Sequence, residues 1–340
     1  MSRARPTIVD VAQRAGVSKG LVSLALNDRP GVSSTSRQRI LDAATELGWT
    51  PSVRARSLSV DRSFALGLIV ARDPAVLAAD PFFPSFIAGV EQELSTRGLV
   101  LTLAMVPTPE REVAAYREMA RDRRVDGVFL TDLRRNDERI GLVAELGLPA
   151  VTLGRPEEAS PHASVTVDDG RGIRDAVEHL VGLGHRRIGH VAGPESMLHG
   201  MRRRHCFEQE MQRSSLAVDL VESTDFSAAA GRRATEALLS HPDPPTAIVY
   251  SNDPMAIAGM GVAQSRGMRV PDDLSVTGYD GSELGQYLHP SLTSVSTDVI
   301  AWGAAATRSL LAAIDGAEPD HLELEPARLI VRGSTAAPPA

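Results

Sequence analysis

Residues 7–18 read Thr-Ile-Val-Asp-Val-Ala-Gln-Arg-Ala-Gly-Val-Ser, and this short stretch predicts one helix and the start of another. Thr7 is a preferred N-cap residue, and Asp10, three residues later, makes an acidic variant of the capping box. Gly16 can adopt the positive φ that ends a helix, and Ser18 can cap the next one. Two short helices joined through a glycine turn are typical of a helix-turn-helix, although a generic three-helix bundle shows the same pattern.

The helical periodicity continues beyond residue 18. The second helix is expected to bury a stripe made of Leu21, Val22, Ala25 and Leu26. After a loop at residues 27–31, a third helix is expected over residues 34–47, ended by Gly48. Its inward-facing residues are expected to be Ile40, Leu41, Ala44 and Leu47.

Charge is distributed unevenly along the 340 residues. The net charge is −7, yet residues 1–62 hold ten basic and five acidic side chains, so the other 278 residues carry −12. A basic head on an acidic body favours a polyanion-binding module joined to one that does not bind polyanions. The simpler alternative is that the basic side chains only solvate helix faces.

Several classes of protein are excluded by composition. A single cysteine, Cys206, rules out an internal disulfide framework and a CxxC-based zinc or redox site. The longest apolar run, residues 65–71, is far shorter than the ~20 residues needed to span a bilayer. No apolar segment follows the basic start, so a secretory signal is not expected. We therefore expect a cytoplasmic protein without a membrane partner.

From residue 65 onward, short β-rich runs alternate with longer helical segments. Strands are expected at residues 65–71, 99–106, 127–131, 150–153, 188–192, 247–250 and 275–279. Helices are expected at residues 84–97, 109–123, 170–183, 227–239, 253–266 and 300–314. This alternation predicts parallel sheets covered by helices on both faces, with ligands bound beyond the carboxyl ends of the strands.

A set of short motifs resembles the LacI-type (lac repressor / purine repressor) family of bacterial transcription regulators. They are residues 7–18, Val22-Ser23, Leu26-Asn27, Ala55-Arg56-Ser57-Leu58, Arg124-Val125-Asp126-Gly127, His185-Arg186-Arg187-Ile188, Asn252-Asp253 and Gly278-Tyr279-Asp280. The motifs occur in the family's order over nearly the whole chain. The resemblance implies an α + α/β fold: a helix-turn-helix head, a hinge helix, and a two-lobed body like that of periplasmic binding proteins.

The resemblance also implies domain boundaries. Residues 1–50 are expected to form the DNA-binding head, and residues 51–62 the hinge helix and linker. The N-terminal lobe is expected to comprise residues 63–167 and about 297–324, and the C-terminal lobe residues 168–296 and about 325–335. Residues 336–340 remain as a tail whose Ala-Pro composition cannot form a coiled coil, which favours a homodimer over a tetramer.

In this family the second helix reads bases in the major groove, while helix N-termini and hydroxyls hold phosphates. The matching candidates for DNA contact are Thr7, Ser18, Lys19, Gly20, Leu21, Ser23, Leu24, Asn27 and Arg29. Leu24 stands where family members usually carry an arginine that binds guanine. Gly20 offers no side chain at all. Lys19 is therefore expected to be the main polar base reader, on an operator different from the family's usual one.

A segment as short as this hinge does not form a stable isolated helix. The resemblance implies that the hinge folds only when two subunits pair over DNA. Leu58 would then wedge between base steps in the minor groove, and Ala55 would pack against its symmetry mate or the groove wall. The alternative is a flexible linker with an ordinary exposed leucine.

The family's effector-binding positions match Asp80, Phe82, Phe83, Arg203, Phe226, Asn252 and Asp280. The alternatives are core packing for the phenylalanines and helix-cap or turn roles for Asn252 and Asp280. The run Arg202-Arg203-Arg204 leaves the register of the arginine open by one position. Gly154 stands where many relatives carry an acidic residue, which argues against a standard sugar pose.

These features predict a homodimeric transcription repressor that binds a pseudo-palindromic double-stranded operator. A small-molecule effector, most simply a carbohydrate, would bind between the lobes and set operator affinity. No catalytic motif is present, and neither a cofactor nor a metal is expected; the Asp168-Asp169 pair is interpreted as a helix cap. The alternatives are a regulator without an effector, and a sugar-binding protein without DNA function.

Overall fold

The computed structural model describes residues 6–26, 30–49 and 62–339. The chain divides into two compact units, residues 1–64 and residues 65–340, called here the head and the body. The predicted hinge positions Ala55 and Leu58, and the predicted DNA contacts Asn27 and Arg29, lie outside the described residues.

The head contains helices α1 (Ile8–Ala15), α2 (Lys19–Leu26) and α3 (Ser34–Glu46). The predicted capping box is present: the Thr7 hydroxyl oxygen accepts from the Asp10 N–H, and the Asp10 carboxylate accepts from the Thr7 N–H at 2.7 Å. Gly16 ends α1 with a φ of 64°. Ser18 Oγ accepts from the Leu21 N–H at 3.2 Å and so caps α2. Both helix boundaries follow from the predicted local chemistry.

The core of the head consists of one small apolar cluster built from all three helices. Val11, Val22 and Ile40 are each completely buried at its centre. The expectation that Leu41 faces inward is wrong, because its side chain is 42% exposed while Ala43 is buried. Successive helical residues are about 100° apart, so residues 40, 43, 44 and 47 share the inner face and residue 41 does not.

Two six-stranded sheets form the body, and each belongs to one lobe. The first has the spatial order β11-β5-β4-β3-β1-β2, with β1 Ala65–Ala71, β2 Val100–Val106, β3 Gly127–Leu130, β4 Ala150–Leu153, β5 Ala163–Thr166 and β11 His321–Glu323. The second has the order β12-β10-β9-β8-β6-β7, with β6 Ile188–Ala192, β7 Val221–Ser223, β8 Ala247–Tyr250, β9 Ser275–Asp280, β10 Thr293–Ser296 and β12 Arg328–Ile330. All pairings are parallel except β10 with β12.

The helices cover both sheets, which confirms the predicted α/β class. They are α4 Pro74–Ala79, α5 Phe82–Ser95, α6 Pro109–Arg121, α7 Glu138–Glu145, α8 Asp169–Gly182, α9 Leu198–Arg213, α10 Ala228–Leu239, α11 Asp253–Ser265 and α12 Val299–Ile314, with a 3₁₀ turn at Glu283–Tyr287. Helix α12 returns to the first lobe and packs against α5 and strands β3 to β5. The chain therefore crosses between the lobes after β5, after β10 and after β11. None of the described helices has both the length and the hydropathy needed to cross a bilayer.

Five strands and three helices were not expected from the sequence. The strands are β5, β7, β10, β11 and β12, and the helices are α4, α7 and α9. Of these unexpected elements, helix α9 matters most for the site, because its Leu198, His199, Arg202 and Arg203 line the cleft between the lobes. Its charged run, residues 202–205, obscures the apolar face that Leu198, Phe207 and Met211 bury.

Candidate functional site

A cavity of about 90 Å³ lies between the two lobes of the body. It is lined by residues that follow the carboxyl ends of strands in both sheets, as expected for parallel α/β lobes. Six of the seven predicted effector residues meet there: Asp80, Phe82, Arg203, Phe226, Asn252 and Asp280. Further lining residues that the sequence did not assign to the site include Arg72, Asp132, Asp169, His199 and Trp302. Arg202, from the arginine run, and Tyr279, from the Gly-Tyr-Asp motif, also line the cavity.

Phe83 is the predicted effector residue that does not line the cavity. Its side chain is 3% exposed and belongs to the core of the first lobe, where its ring lies edge-on to Phe82 at 5.3 Å. Helix α5 begins at Phe82, two residues earlier than predicted, and adjacent helical side chains diverge by about 100°. Only Phe82 therefore faces the cleft.

Arg72, directly after β1, is the centre of an ion cluster in the first lobe. Its guanidinium donates to both Asp132 carboxylate oxygens, at 2.6 and 2.5 Å, and to the Asp80 carboxylate at 2.6 Å. Burial alone raises the pKa of Asp132, but the charge and hydrogen bonds of Arg72 outweigh it and hold that pKa at about 2. The pKa of Asp80 is raised, chiefly by burial. The cluster thus fixes two ionisable groups at the cavity wall.

Arg203 is the corresponding cation of the second lobe; within the arginine run Arg202 and Arg203 both line the cavity, and Arg204 does not. Its guanidinium carbon lies 3.5 Å from the centre of the Tyr279 ring, and one terminal nitrogen donates to the Ser251 carbonyl at 2.8 Å. The other terminal nitrogen lies 3.5 Å from the Asp169 carboxylate. Its buried Nε has no hydrogen-bond partner among the described residues. Arg204, by contrast, is bound to Glu208 at 2.7 Å, away from the cavity.

Asn252 follows strand β8, and Asp280 is the last residue of the neighbouring strand β9. The Asn252 amide oxygen accepts from the Met255 N–H and its amide nitrogen donates to the Phe226 carbonyl, both at 2.9 Å, so Asn252 caps α11 as well as lining the cavity. The Asp280 carboxylate accepts a long bond of 3.4 Å from the Asp253 N–H. Burial, and then the nearby charges of Asp80 and Asp253, raise the pKa of Asp280 well above its usual value.

Aromatic rings cover the remaining walls. Phe226 has a φ of 70° and stacks on the His199 imidazole with ring centres 5.2 Å apart. Gly193 makes this position possible, since a Cβ there would lie 2.1 Å from the Phe226 ring. Burial and nearby arginines lower the pKa of His199 to about 3, so its imidazole is neutral at pH 7. Phe82 packs edge-on against Trp302 at 5.7 Å.

In the head, six of the predicted DNA contacts lie on α2 or at its N-terminus. Ser18, Lys19, Gly20 and Leu24 are exposed, with Leu24 38% exposed, while Leu21 and Ser23 are half-buried. Thr7 lies at the start of α1, where its hydroxyl also donates to Asp10 at 2.7 Å. An amide-bearing helix N-terminus next to exposed polar side chains is an arrangement that can hold a phosphate.

Comparison with known proteins identifies both units. The family model for bacterial regulatory proteins, lacI family, matches residues 7–52, and that for a periplasmic binding protein-like domain matches residues 177–335. The HTH-type transcriptional regulator CelR of Thermobifida fusca is 34% identical over 98% of this chain and 99% of its own length. The chain belongs to the LacI family.

Solved structures of LacI-family proteins share the fold. A transcriptional regulator CelR–cellobiose complex matches with a TM-score of 0.75 and 33% identity, covering 97% of this chain and all of that one. The lac repressor dimer bound to operator and the anti-inducer ONPF matches with a TM-score of 0.83 and 28% identity, covering 98% and 100%. This LacI-family protein is thus a DNA-binding transcriptional regulator with a periplasmic-binding-protein-like effector domain.

Gly154 lines the cavity of this LacI-family regulator. The residue has a φ of 98°, and a Cβ built on it would lie 4.0 Å from a terminal nitrogen of Arg202. A carboxylate at this position would therefore face Arg202. In its absence Arg202 donates to the Arg155 carbonyl at the rim of the cavity. The acidic cluster of the first lobe is supplied instead by Asp80 and Asp132, held by Arg72.

Asp168 has the structural role predicted for it. Its carboxylate accepts from the N–H groups of Gly170 and Arg171, at 3.0 and 3.1 Å, and so caps α8. Asp169 has a different environment, since it lines the cavity and its pKa is raised by burial despite the nearby Arg203. His185 is buried by contacts with Thr246, Ser275 and the Ala336 carbonyl, as expected for a structural residue.

Proposed function

We propose that this protein is a repressor whose operator affinity is set by a carbohydrate or related metabolite bound in the cavity between the lobes. The observation that carries the proposal is that side chains of both lobes line one cavity in a chain that also has a helix-turn-helix head. A ligand that touches both lobes binds their closed arrangement better than an open one. That difference in affinity is what a ligand needs to shift a conformational equilibrium.

The chemistry of the cavity wall supports a carbohydrate. Carboxylates and guanidinium groups can accept from and donate to hydroxyl groups, and the faces of Phe226, Phe82 and Trp302 supply apolar surface beside them. The similarity to a CelR–cellobiose complex points the same way. We assign effector contacts to Asp80, Phe82, Arg203, Phe226, Asn252 and Asp280, and add Arg72, Asp132 and His199.

We assign operator contacts to α2, to the N-cap of α1 and to two positions that follow α2 in the sequence. The set is Thr7, Ser18, Lys19, Gly20, Leu21, Ser23, Leu24, Asn27 and Arg29, with Ala55 and Leu58 acting from the hinge. The proposed assembly is a homodimer on a pseudo-palindromic operator in the cytoplasm, without catalytic activity. The proposed domains keep the boundaries inferred above, with the head at residues 1–50 and the hinge at residues 51–62. The chain crosses from one lobe to the other at residues 167–168, 296–297 and 324–325.

Selection of bound duplexes from random DNA tests this assignment. Wild-type protein is expected to enrich a sequence with two-fold symmetry and half-sites about one helical turn apart. Lys19→Ala is expected to relax the preference at one or two base pairs by roughly 5- to 100-fold, the range for loss of one specific base contact. The matched control is Arg14→Ala, which removes an exposed basic residue of α1 that is paired with Glu46.

Arg14→Ala is expected to keep the wild-type base preference. An unchanged preference in Lys19→Ala would move base reading to other residues of the head. Failure of the wild-type protein to enrich any sequence would overturn the proposed function.

A further inference from the structure

A loop of the first lobe, residues 131–137, makes a direct contact with the second lobe. The loop follows strand β3, and its Leu133 carbonyl accepts a hydrogen bond from the Leu198 N–H at 2.8 Å. Beside this bond, Arg134 and Met197 form an isolated antiparallel bridge. Leu198 is the first residue of helix α9, which connects β6 and β7 of the second sheet. The loop therefore ties one lobe to the other, and we call residues 131–137 the clasp.

The side chain of Leu198 is inserted into the core of the first lobe. It is 1% exposed and belongs to an apolar cluster whose other buried members, among the described residues, all come from the first lobe. Leu133 of the clasp and Val143 of α7 are two of these members. Met201, one turn later on α9, packs against the same cluster. Buried apolar surface thus stabilises the clasp contact together with the backbone hydrogen bond.

A buried ion network centred on Arg139 of α7 holds the clasp from the side away from α9. The Arg139 side chain is 1% exposed, and its guanidinium donates to the Glu112 carboxylate of α6 at 2.6 Å. It also donates to both carboxylate oxygens of Asp137, at 2.8 and 2.6 Å. The same group donates to the backbone carbonyls of Thr131 and Asp132, at 2.9 and 3.0 Å. One side chain therefore binds both ends of the clasp.

The network reaches the middle of the clasp through Arg134. Its guanidinium donates to the second Glu112 oxygen at 2.6 Å, and its backbone N–H donates to Asp137 at 3.0 Å. Asp132 and Asn136 each have a φ of 50°, which residues with a side chain adopt at a cost in energy. Such a backbone persists only where surrounding contacts hold it. The network supplies those contacts.

The physical character of the network indicates positioning rather than stability. A buried ion pair contributes little net stability, because the cost of removing the charges from water offsets their attraction. A network in which each member has partners does, however, specify one geometry. Thr131 and Asp132 line the cavity from the first lobe, and His199, the residue after Leu198, lines it from the second. Arg139 does not line the cavity, so it acts there only through the clasp.

We propose that Arg139 is a positioning residue: its network with Glu112 and Asp137 holds the clasp against Leu198 and so sets the spacing of the two lobes at this end of the cavity. The clasp acts in this way with or without a ligand. The inference goes beyond the proposed function and depends on neither the identity nor the existence of an effector.

Native-state amide hydrogen exchange on the full-length protein, read residue by residue, tests the proposal first in the wild type. The Arg134 N–H reports the network, and the Leu198 N–H reports the contact between the lobes. If one opening exposes both, their protection factors should agree within roughly tenfold. A larger difference in either direction would show that the network and the contact open separately, and would overturn the proposal.

Arg139→Lys tests the network directly. Lysine keeps the positive charge, but a single ammonium cannot replace a planar fork that binds two carboxylates and two carbonyls. Leu198 exchange is expected to become roughly 10- to 100-fold faster, the factor for losing one charge-assisted hydrogen bond. Amides of β6 and β8 should exchange as in the wild type. A merely structural role of Arg139 within the first lobe would not move the Leu198 amide while leaving β1 protected.

Arg97→Lys is the matched control, since it makes the same change in an exposed pair with Glu93 on the first lobe, and its Leu198 exchange should equal that of the wild type. Unchanged Leu198 exchange in Arg139→Lys would overturn the proposal. If β1 also loses protection in that variant, the first lobe has unfolded, and Leu198→Ala decides. Coupling is reciprocal, so Leu198→Ala should speed Arg134 exchange at least tenfold, and an unchanged rate would contradict the proposal. If Leu198→Ala does not fold either, the wild-type comparison decides.

Discussion

Arg72→Met is expected to lower the melting temperature of the body by roughly 6–20 °C at neutral pH. The methionine leaves the carboxylates of Asp132 and Asp80 without the cation that binds them at 2.5–2.6 Å. Removing one partner of a buried ion pair costs about 3–5 kcal/mol, because the remaining charge stays out of water. For a unit of this size, each kcal/mol corresponds to roughly 2–4 °C. Calorimetry on the full-length protein measures the loss.

The loss of stability in Arg72→Met is expected to grow as the pH rises. In the wild type the pKa of Asp132 is lowered to about 2, so its contribution to stability is complete above about pH 4 and is lost as the pH falls toward 2. In the variant the buried, unpaired carboxylates have raised pKa values, so the folded state binds protons and loses stability as the pH rises. The difference in melting temperature between the wild type and Arg72→Met is therefore expected to be larger at pH 8 than at pH 5.

Arg124→Met is the matched control for this prediction. Arg124 makes a salt bridge of the same length, 2.6 Å, to Asp122, but its side chain is 54% exposed. Exposed pairs contribute about 0–1 kcal/mol, so this variant should melt within a few degrees of the wild type. Equal losses in both variants, or a loss in Arg72→Met that does not vary between pH 5 and pH 8, would show that Arg72 does not neutralise the two aspartates.

Val22→Asn is expected to reduce specific operator binding more than 100-fold without changing the body. Val22 is completely buried at the centre of the only apolar cluster of the described part of the head. Burying an amide without partners and removing apolar contacts costs several kcal/mol, and a domain of about 50 residues has only a few kcal/mol of stability. The head should therefore unfold. Trp49, which packs against this cluster, reports the unfolding by its fluorescence.

Leu41→Asn controls for the chemical change itself. Leu41 lies on the adjacent helix α3 and is 42% exposed, so the same amide costs little there. Operator affinity should then stay within about fivefold of the wild type, and the melting of the body should be unchanged in both variants. Loss of ligand binding by the body of Val22→Asn, or full operator affinity in that variant, would contradict the division of roles between head and body.

Local chemistry made the head and the central strands predictable. The Thr7 capping box, the turn at Gly16 and the Ser18 cap are formed by residues within a few positions of one another. Strands β1, β4, β6 and β8 have the predicted bounds because each is a short, mostly apolar segment buried on both faces. By contrast, β11 and β12 are three residues long and mostly exposed, so only their tertiary partners define them.

The site was predictable only where the family motifs marked it. Asp80, Arg203, Phe226 and Asp280 lie at matched positions, and the cavity brings them together. Arg72 and Asp132 are 60 residues apart, and no pattern relates them before β1 and β3 pair in the sheet. One local signal was available: a charged residue directly follows β1, and an aspartate lies two residues after β3. Phe83 belongs to the core of the first lobe, which is the core-packing alternative that the sequence left open.

Titration of the full-length protein onto its selected operator, with and without a bound neutral sugar, tests the central claim most directly. The sugar that raises the melting temperature of the protein most in a thermal-shift screen is expected to change operator affinity by roughly 5- to 150-fold, the usual range of coupling between two sites. Arg203→Ala should keep the operator affinity of the unliganded protein and lose the response. A wild-type protein with the same operator affinity at zero and saturating sugar, or with no preference for any duplex over competitor DNA, would contradict the account.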